Sequence, residues 1–248
     1  LTPINDGYYA NYSLVFMEAQ VYTPAGRGNN YVATNNTFEG ITHLNALEAF
    51  RWQNVTMSDN DVTGTFGRLL VWSYNTDPLV NVDISGNSLT LSSGNDIASS
   101  TGIGVYYADA DVNITGNTVD GASTCVNTTG VTDLELTGNN LNNCETRGQL
   151  YSDSDFDGPG SDAPYVAPVS AVIQGNTFNT SPVGVENQAQ VFELDVCDNI
   201  FINIADREFE NPGPFADCFG NVTIIKDAAP NAANVDFDFE IVSDDTQS

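Results

Sequence analysis

The sequence predicts an all-β solenoid, in which short strands stack in parallel from one repeat to the next. Two observations predict it: an alternating apolar pattern recurs along most of the chain, and an asparagine holds a fixed place in each copy. The clearest copy, residues 82–89, places apolar residues five and three positions before Asn87 and two positions after it. Recurrence at intervals of roughly 20 to 50 residues is typical of repeat architectures.

The asparagines of these copies, spaced 22 to 37 residues apart, are expected to form a ladder of stacked side chains. They are Asn36, Asn60, Asn87, Asn117, Asn139, Asn176 and Asn199. A decayed last copy ends at Asp227. Apolar residues alternate within each copy, and this period of two is that of a strand. One such strand cannot bury its apolar side alone, whereas stacked strands share a continuous core.

A glycine or an aspartate commonly precedes the asparagine, as in Gly86-Asn87 and Asp198-Asn199. Glycine and asparagine tolerate the left-handed backbone that a sharp corner requires. An inward amide can also bond backbone groups of the corner that burial would otherwise leave unpaired. Each asparagine is therefore predicted to mark a corner of the solenoid.

This strand, Gly-Asn and apolar pattern resembles the right-handed parallel β-helix proteins of the pectate-lyase-like superfamily, over about residues 31–227. The resemblance implies a single right-handed parallel β-helix of about eight turns with capping ends. All of residues 1–248 would form one domain, with 1–30 as an N-terminal cap or first turn, 31–227 as the repeats and 228–248 as a C-terminal strand and tail. The alternative is a β-sandwich with turn-rich loops.

The composition is strongly acidic, with a formal net charge of −27 and only six lysines and arginines. Such a surface repels phosphate backbones and anionic membranes, which excludes nucleic acid as a partner and disfavours membrane binding. Membrane insertion is not expected, because no apolar run approaches the length of a span. The acidity suits solubility in salty water or affinity for divalent cations. The chain starts at Leu1 without a methionine, which suggests a mature or trimmed product from which any leader would already be gone.

The cysteines fall into two pairs about one repeat apart, Cys125 with Cys144 and Cys197 with Cys218. These pairs are the preferred disulfides because adjacent turns lie close together, although three connectivities stay open. A zinc site is the rival interpretation, but the chain has no Cys-x-x-Cys and its one histidine, His43, is remote in sequence. Disulfides would place the protein outside the cytoplasm, secreted or at the cell surface.

Aromatic residues are frequent in the second strands of the early repeats, and strand alternation turns some of them outward. Stacked outward rings would form a platform for sugars, and an arginine beside them would meet an acidic sugar. The glycan-binding candidates are Trp52, Trp72, Tyr74, Tyr107, Arg51 and Arg68. The alternative is core packing and shielding of the solenoid's side, since scattered exposed apolar residues need no special explanation.

The longest interval between two ladder asparagines contains an acidic run that opens like a calcium loop. Asp153, Asp155 and Asp157 alternate and are followed by a glycine. Carboxylates at alternating positions converge on one ion, and the glycine permits the sharp bend. The closing glutamate is missing, so Asp162 would have to replace it. Calcium is the one cofactor predicted, with an unliganded acidic loop as the alternative.

The inventory of catalytic residues is weak. The resemblance implies polysaccharide lyases, which use lysine or arginine against a uronate, or glycoside hydrolases, which need carboxylates across the scissile bond. The chain has no paired lysine and arginine, and its Asn75-Thr76-Asp77 segment is interpreted as a turn. The outward residues of the template strands are mixed and acidic, which makes a poor ice-binding face. We therefore expect a non-catalytic adhesion or glycan-binding module, with a lyase or hydrolase of an acidic polysaccharide as the alternative.

Overall fold

The computed structural model describes residues 13–18, 28–42, 44–73, 80–92, 101–152, 170–187, 193–210, 215–216 and 224–225. In chain order, the strands within these residues are β1 (Ser13–Glu18), β2 (Gly28–Thr34), β3 (Thr37–Ile41), β4 (Asn45–Phe50), β5 (Trp52–Ser58), β6 (Asp61–Gly64), β7 (Arg68–Trp72), β8 (Val80–Ser85), β9 (Ser88–Leu91) and β10 (Thr101–Thr115). They continue as β11 (Thr118–Asp120), β12 (Thr124–Thr137), β13 (Asn140–Asn142), β14 (Arg147–Ser152), β15 (Ser170–Gln174), β16 (Thr177–Asn187), β17 (Glu193–Cys197), β18 (Ile200–Glu210), β19 (Phe215–Ala216) and β20 (Ile224–Ile225). In this described part, no helix is long and apolar enough to cross a membrane.

All pairings between these strands are parallel, and they arrange the strands in three columns. Column I contains β2, β5, β8, the second parts of β10 and β12, β15, β17 and β19. Column II contains β3, β6, β9, β11, β13, the first parts of β16 and β18, and β20. Column III contains β1, β4, β7, the first parts of β10 and β12, β14, and the second parts of β16 and β18.

Each strand pairs with its counterpart one repeat away, so that Val82 lies between Val55 and Val112 in column I. The prediction of an all-β chain built from parallel strands is confirmed. The arrangement is compatible with a β-helix or solenoid, because pairing repeat upon repeat extends one sheet system along the chain.

One buried apolar cluster runs along the three columns. Column I contributes Val82 and Ile84, column II contributes Leu89, and column III contributes Leu69 and Val71. Each of these side chains is at most 1% exposed. Burying a side chain of this size contributes roughly 1.5–3 kcal/mol, so the repeated apolar positions of the template supply most of the stabilisation.

The residue before each ladder asparagine has a left-handed backbone, as the Gly-Asn and Asp-Asn pairs predict. The φ angles lie between 52° and 65° at Asn35, Asp59, Gly86, Gly116, Gly138, Gly175 and Asp198. Glycine, asparagine and aspartate are the residues that adopt this conformation most readily. The identity of this residue therefore accounts for the corner between columns I and II.

Candidate functional site

The seven ladder asparagines form one hydrogen-bonded row at the corner between columns I and II. From Asn36 to Asn176, each Nδ2 donates to the Oδ1 of the asparagine in the next repeat, at 2.8–3.0 Å. The same Oδ1 also accepts the backbone N–H of the preceding asparagine, at 2.9–3.1 Å. From Asn60 onward, Nδ2 bonds a strand carbonyl as well, as Asn117 does with Ile84. These internal amides use all their hydrogen-bonding capacity, so the ladder offers nothing to a ligand.

A disulfide joins Cys125 of β12 to Cys144, which follows β13, with a Cα–Cα distance of 5.6 Å. Both residues are buried in the apolar cluster. Cys197 is also disulfide-bonded, whereas its expected partner Cys218 lies outside the described residues. Disulfides are typical of an oxidising compartment.

The outer face of column III is buried, although its side chains point away from the main core. Leu70, Tyr106 and Tyr107 form a second apolar cluster there, with Trp72 packed against it. Tyr107 and Arg51 are 1% and 3% exposed. Strand alternation therefore correctly indicates which side chains leave the core, but on this column the outward direction does not lead to solvent.

The residues expected to form an exposed sugar platform are consequently placed differently. Arg68 is buried, as are Tyr107 and Arg51. Trp52 is half-buried and packs edge-on against Tyr31, with ring centroids 5.7 Å apart. Tyr74 lies outside the described residues. The described members do not make one open aromatic surface.

A buried polar network connects β4, β7 and β10 on the outer face of column III. The Glu48 carboxylate accepts hydrogen bonds from the Asn45 amide at 2.6 Å and from the Trp72 indole at 2.7 Å. Arg68 donates from Nε to the Asn45 Oδ1 at 2.7 Å and from Nη1 to the Tyr106 hydroxyl at 3.5 Å. Hydrogen bonds from several donors lower the cost of burying a carboxylate, so this network fixes Glu48 in place.

The negative charge of Glu48 affects the pKa of Tyr31, a residue of column I. Burial, and secondly the negative charge of Glu48, raise the pKa of Tyr31 to about 12. The Tyr31 hydroxyl therefore stays protonated at neutral pH, when it is a hydrogen-bond donor and not a base.

The described arginine side chains all lie on column III or at its corner. They are Arg51, Arg68 and Arg147. The Arg147 Nε is 2.8 Å from the Glu186 carboxylate. The Arg147 side chain is 24% exposed and that of Glu186 is 6% exposed. Each of these cations is thus buried or ion-paired within the chain, in a protein of very negative net charge.

A pocket of about 310 Å³ opens at the corner between columns II and III. Its lining residues are Asn143, Cys144, Glu145, Thr180, Ser181, Pro182, Asn203 and Ala205. Our sequence-based prediction missed this pocket. The available signal was the residue four positions after the ladder asparagine, which is polar in three late repeats, at Asn143, Thr180 and Asn203.

A metal centre is not assembled by the described part of the chain, where no group of three or more His, Cys, Asp or Glu could hold an ion. The predicted calcium ligands Asp153, Asp155, Asp157 and Asp162 lie outside that part, as does His43. Comparisons of the chain with protein-family models, with curated proteins and with solved structures give no match.

Proposed function

We propose that the chain is a non-catalytic extracellular module that binds glycans or mediates adhesion. The observation that carries the proposal is the state of the three arginines whose side chains are described, Arg51, Arg68 and Arg147, which are buried or ion-paired. A lyase of acidic polysaccharides needs a cation that can approach the substrate carboxylate and stabilise the charge that develops beside it. Withdrawing a cation from a buried network leaves its partners unpaired, at a cost of roughly 3–5 kcal/mol.

As its scaffold we propose a single right-handed parallel β-helix of about eight turns, related to the pectate-lyase-like superfamily. Three columns of parallel strands, each offset by one repeat, support this architecture. Parallel strands of one sheet are joined by right-handed crossovers in nearly all proteins, which favours the right-handed form. The ladder asparagines support it too, because they bond corner to corner between successive repeats.

The proposed location is secreted or at the cell surface, and the proposed partner is a polysaccharide or a cell-surface glycan. The Cys125–Cys144 disulfide supports an oxidising environment. The net charge of −27 argues against nucleic acid and against anionic membranes.

The test is a glycan array probed with the intact protein, together with a turnover assay on uronate polymers with and without calcium. We expect binding to at least one glycan, and no increase in the absorbance of unsaturated products. Turnover that disappears in Arg147→Ala would replace the proposal by a lyase, and an array without any signal would refute glycan binding.

The second candidate is a polysaccharide lyase or glycoside hydrolase that acts on an acidic polysaccharide. One observation favours it: Glu48, Arg68 and Tyr106 belong to one network on one face. Glu48→Gln keeps the shape of the side chain and removes its charge. This candidate predicts measurable turnover in the wild type and its loss in the variant, whereas a binding module shows turnover in neither.

We also propose that Asp153, Asp155, Asp157 and Asp162 bind calcium. A ligand present at about 100 times its Kd stabilises the folded state by about 2.7 kcal/mol. Thermal unfolding in chelator should therefore occur several degrees lower than in calcium, and Asp155→Asn should reduce that difference. An unchanged unfolding temperature in chelator contradicts a calcium site.

A further inference from the structure

The pocket between columns II and III lies where the backbone departs from regularity. Asn143, Thr180 and Asn203 occupy the same corner position in successive repeats, with φ of 50°, 59° and 53°. A β-branched residue such as Thr180 is a genuine outlier at positive φ. Backbone strain of this kind is retained mainly at functional sites.

A register shift adds a second, independent irregularity beside the pocket. The pairing of β16 with β18 shifts between Ser181 and Val183, and Ser181 lines the pocket. Bulges of this kind occur preferentially next to binding and active sites, because they redirect a side chain. Cys144, fixed by its disulfide to Cys125, lines the pocket as well.

The chemistry of the lining combines polar groups with apolar surface. Asn143, Glu145 and Asn203 are exposed and offer two amides and a carboxylate, while Pro182 and Ala205 supply apolar contact. Asn143 is held in place by the Asp120 carboxylate at 2.7 Å. No hydrogen bond joins the Glu145 carboxylate or the Asn203 amide to another described residue, so the carboxylate can accept from a ligand and the amide can both accept and donate.

We propose that this pocket is the glycan-binding site, and that it takes an uncharged sugar unit. The inference rests on the proposed function and goes further by naming its site and its class of sugar. Amide and carboxylate groups match the hydroxyls of a saccharide, and Pro182 and Ala205 contact its C–H face. The volume of about 310 Å³ lies at the lower end of ligand pockets, which suits one or two sugar rings. The carboxylates of Glu145, which lines the pocket, and of Asp120, which bonds Asn143, repel uronates, and the described lining residues include no lysine or arginine.

The experiment titrates the intact protein with cellobiose, maltose and lactose, and with digalacturonate, by isothermal calorimetry and saturation-transfer NMR. At least one neutral disaccharide should bind with millimolar or lower Kd, and digalacturonate should bind at least tenfold more weakly. Glu145→Ala and Asn203→Ala should each weaken the neutral sugar tenfold or more. Glu135→Ala is the matched control, because Glu135 is also exposed and lies on column I.

The outcomes separate the site from the function. One outcome is a glycan-array signal that is equally strong in Glu145→Ala, Asn203→Ala and the control Glu135→Ala. In that case the module binds glycans elsewhere, and the assignment of the binding site to this pocket is wrong. Equal or tighter binding of digalacturonate overturns the preference for uncharged sugars. No binding by any of the four sugars, together with a silent array, overturns both the site and the proposed function.

Discussion

Replacing Asn117 by alanine removes one member from the middle of the ladder. The Asn117 Oδ1 accepts hydrogen bonds from the backbone N–H and the Nδ2 of Asn87, both at 2.9 Å. Its Nδ2 donates to the Ile84 carbonyl at 2.8 Å and to the Asn139 Oδ1 at 3.0 Å. All four hydrogen bonds are buried, so water cannot replace them without opening the corner.

The substitution leaves some neighbouring groups with a hydrogen-bond partner and one without. The Asn87 Nδ2 keeps its bond to Met57, and the Asn139 Oδ1 keeps the backbone N–H of residue 117. The Asn87 backbone N–H loses the acceptor that it has in the ladder, and a buried unsatisfied donor costs roughly 1–3 kcal/mol. With about 0.5–1.5 kcal/mol for each of the three other hydrogen bonds, the variant should lose about 3–7 kcal/mol. That is a large fraction of the roughly 5–15 kcal/mol by which domains are stable.

Urea unfolding followed by far-ultraviolet circular dichroism measures this loss, provided that the m-value stays unchanged. Two variants serve as controls. Asn36 lies at the N-terminal end of the ladder and is partly exposed, so Asn36→Ala should cost about 1 kcal/mol. Asn140 is exposed on the same repeat as Asn139, and Asn140→Ala should cost less than about 0.5 kcal/mol. If Asn117→Ala is no more destabilising than these two, the ladder does not stabilise the fold in the way argued.

Substitutions at three further places test other parts of the fold by the same urea assay. Gly116→Val should lower the free energy of unfolding by about 1–2 kcal/mol, because φ at Gly116 is 63°. No atom crowds an added Cβ there, so Gly116→Asn should lower it clearly less, and equal losses would contradict this. Replacing Cys125 and Cys144 together by alanine should cost about 2–4 kcal/mol, since their bond closes a loop of 19 residues in the unfolded chain; an unchanged midpoint would contradict it. The folded-state pKa of Tyr31, about 12, lies above the unfolded value of 10.0, so its stabilising effect is complete below pH 10 and is lost as the pH rises towards 12. Between pH 9 and 12, the free energy of unfolding of Tyr31→Phe should therefore decrease by roughly 1–3 kcal/mol less than that of the wild type. Equal decreases in the two proteins would refute the assignment.

Local patterns made the parallel strands predictable. The template at residues 82–89 specifies which residues enter the core, where the corner lies and which residue takes the left-handed backbone. These features depend on neighbours in sequence, and the pairing of Val82 with Val55 and Val112 follows from the repetition. The preferred Cys125–Cys144 pairing followed from the same spacing.

The environment of column III was not predictable in this way. Alternation indicates that Trp72 and Tyr106 leave the core, but whether they then meet solvent depends on how side chains of neighbouring repeats pack against one another. The network that joins Glu48, Asn45 and Arg68 also spans two repeats with a register shift between Asn45 and Leu47. A shift of one residue changes which side chains face each other, and no periodic template contains it.

The two corners of the repeat show why ligand binding is expected at one and not at the other. At the corner between columns I and II, successive asparagines saturate one another, and any ligand would have to break bonds such as that from Asn87 to Asn117. At the corner between columns II and III, the equivalent position varies between Asn143, Thr180 and Asn203, and the register shifts beside it. Thr180 lies between the two asparagines in this row and has no amide, so these three side chains do not form a continuous amide ladder. The proposed sugar site therefore depends on the irregularity of the second corner, while the regularity of the first keeps the strands in register.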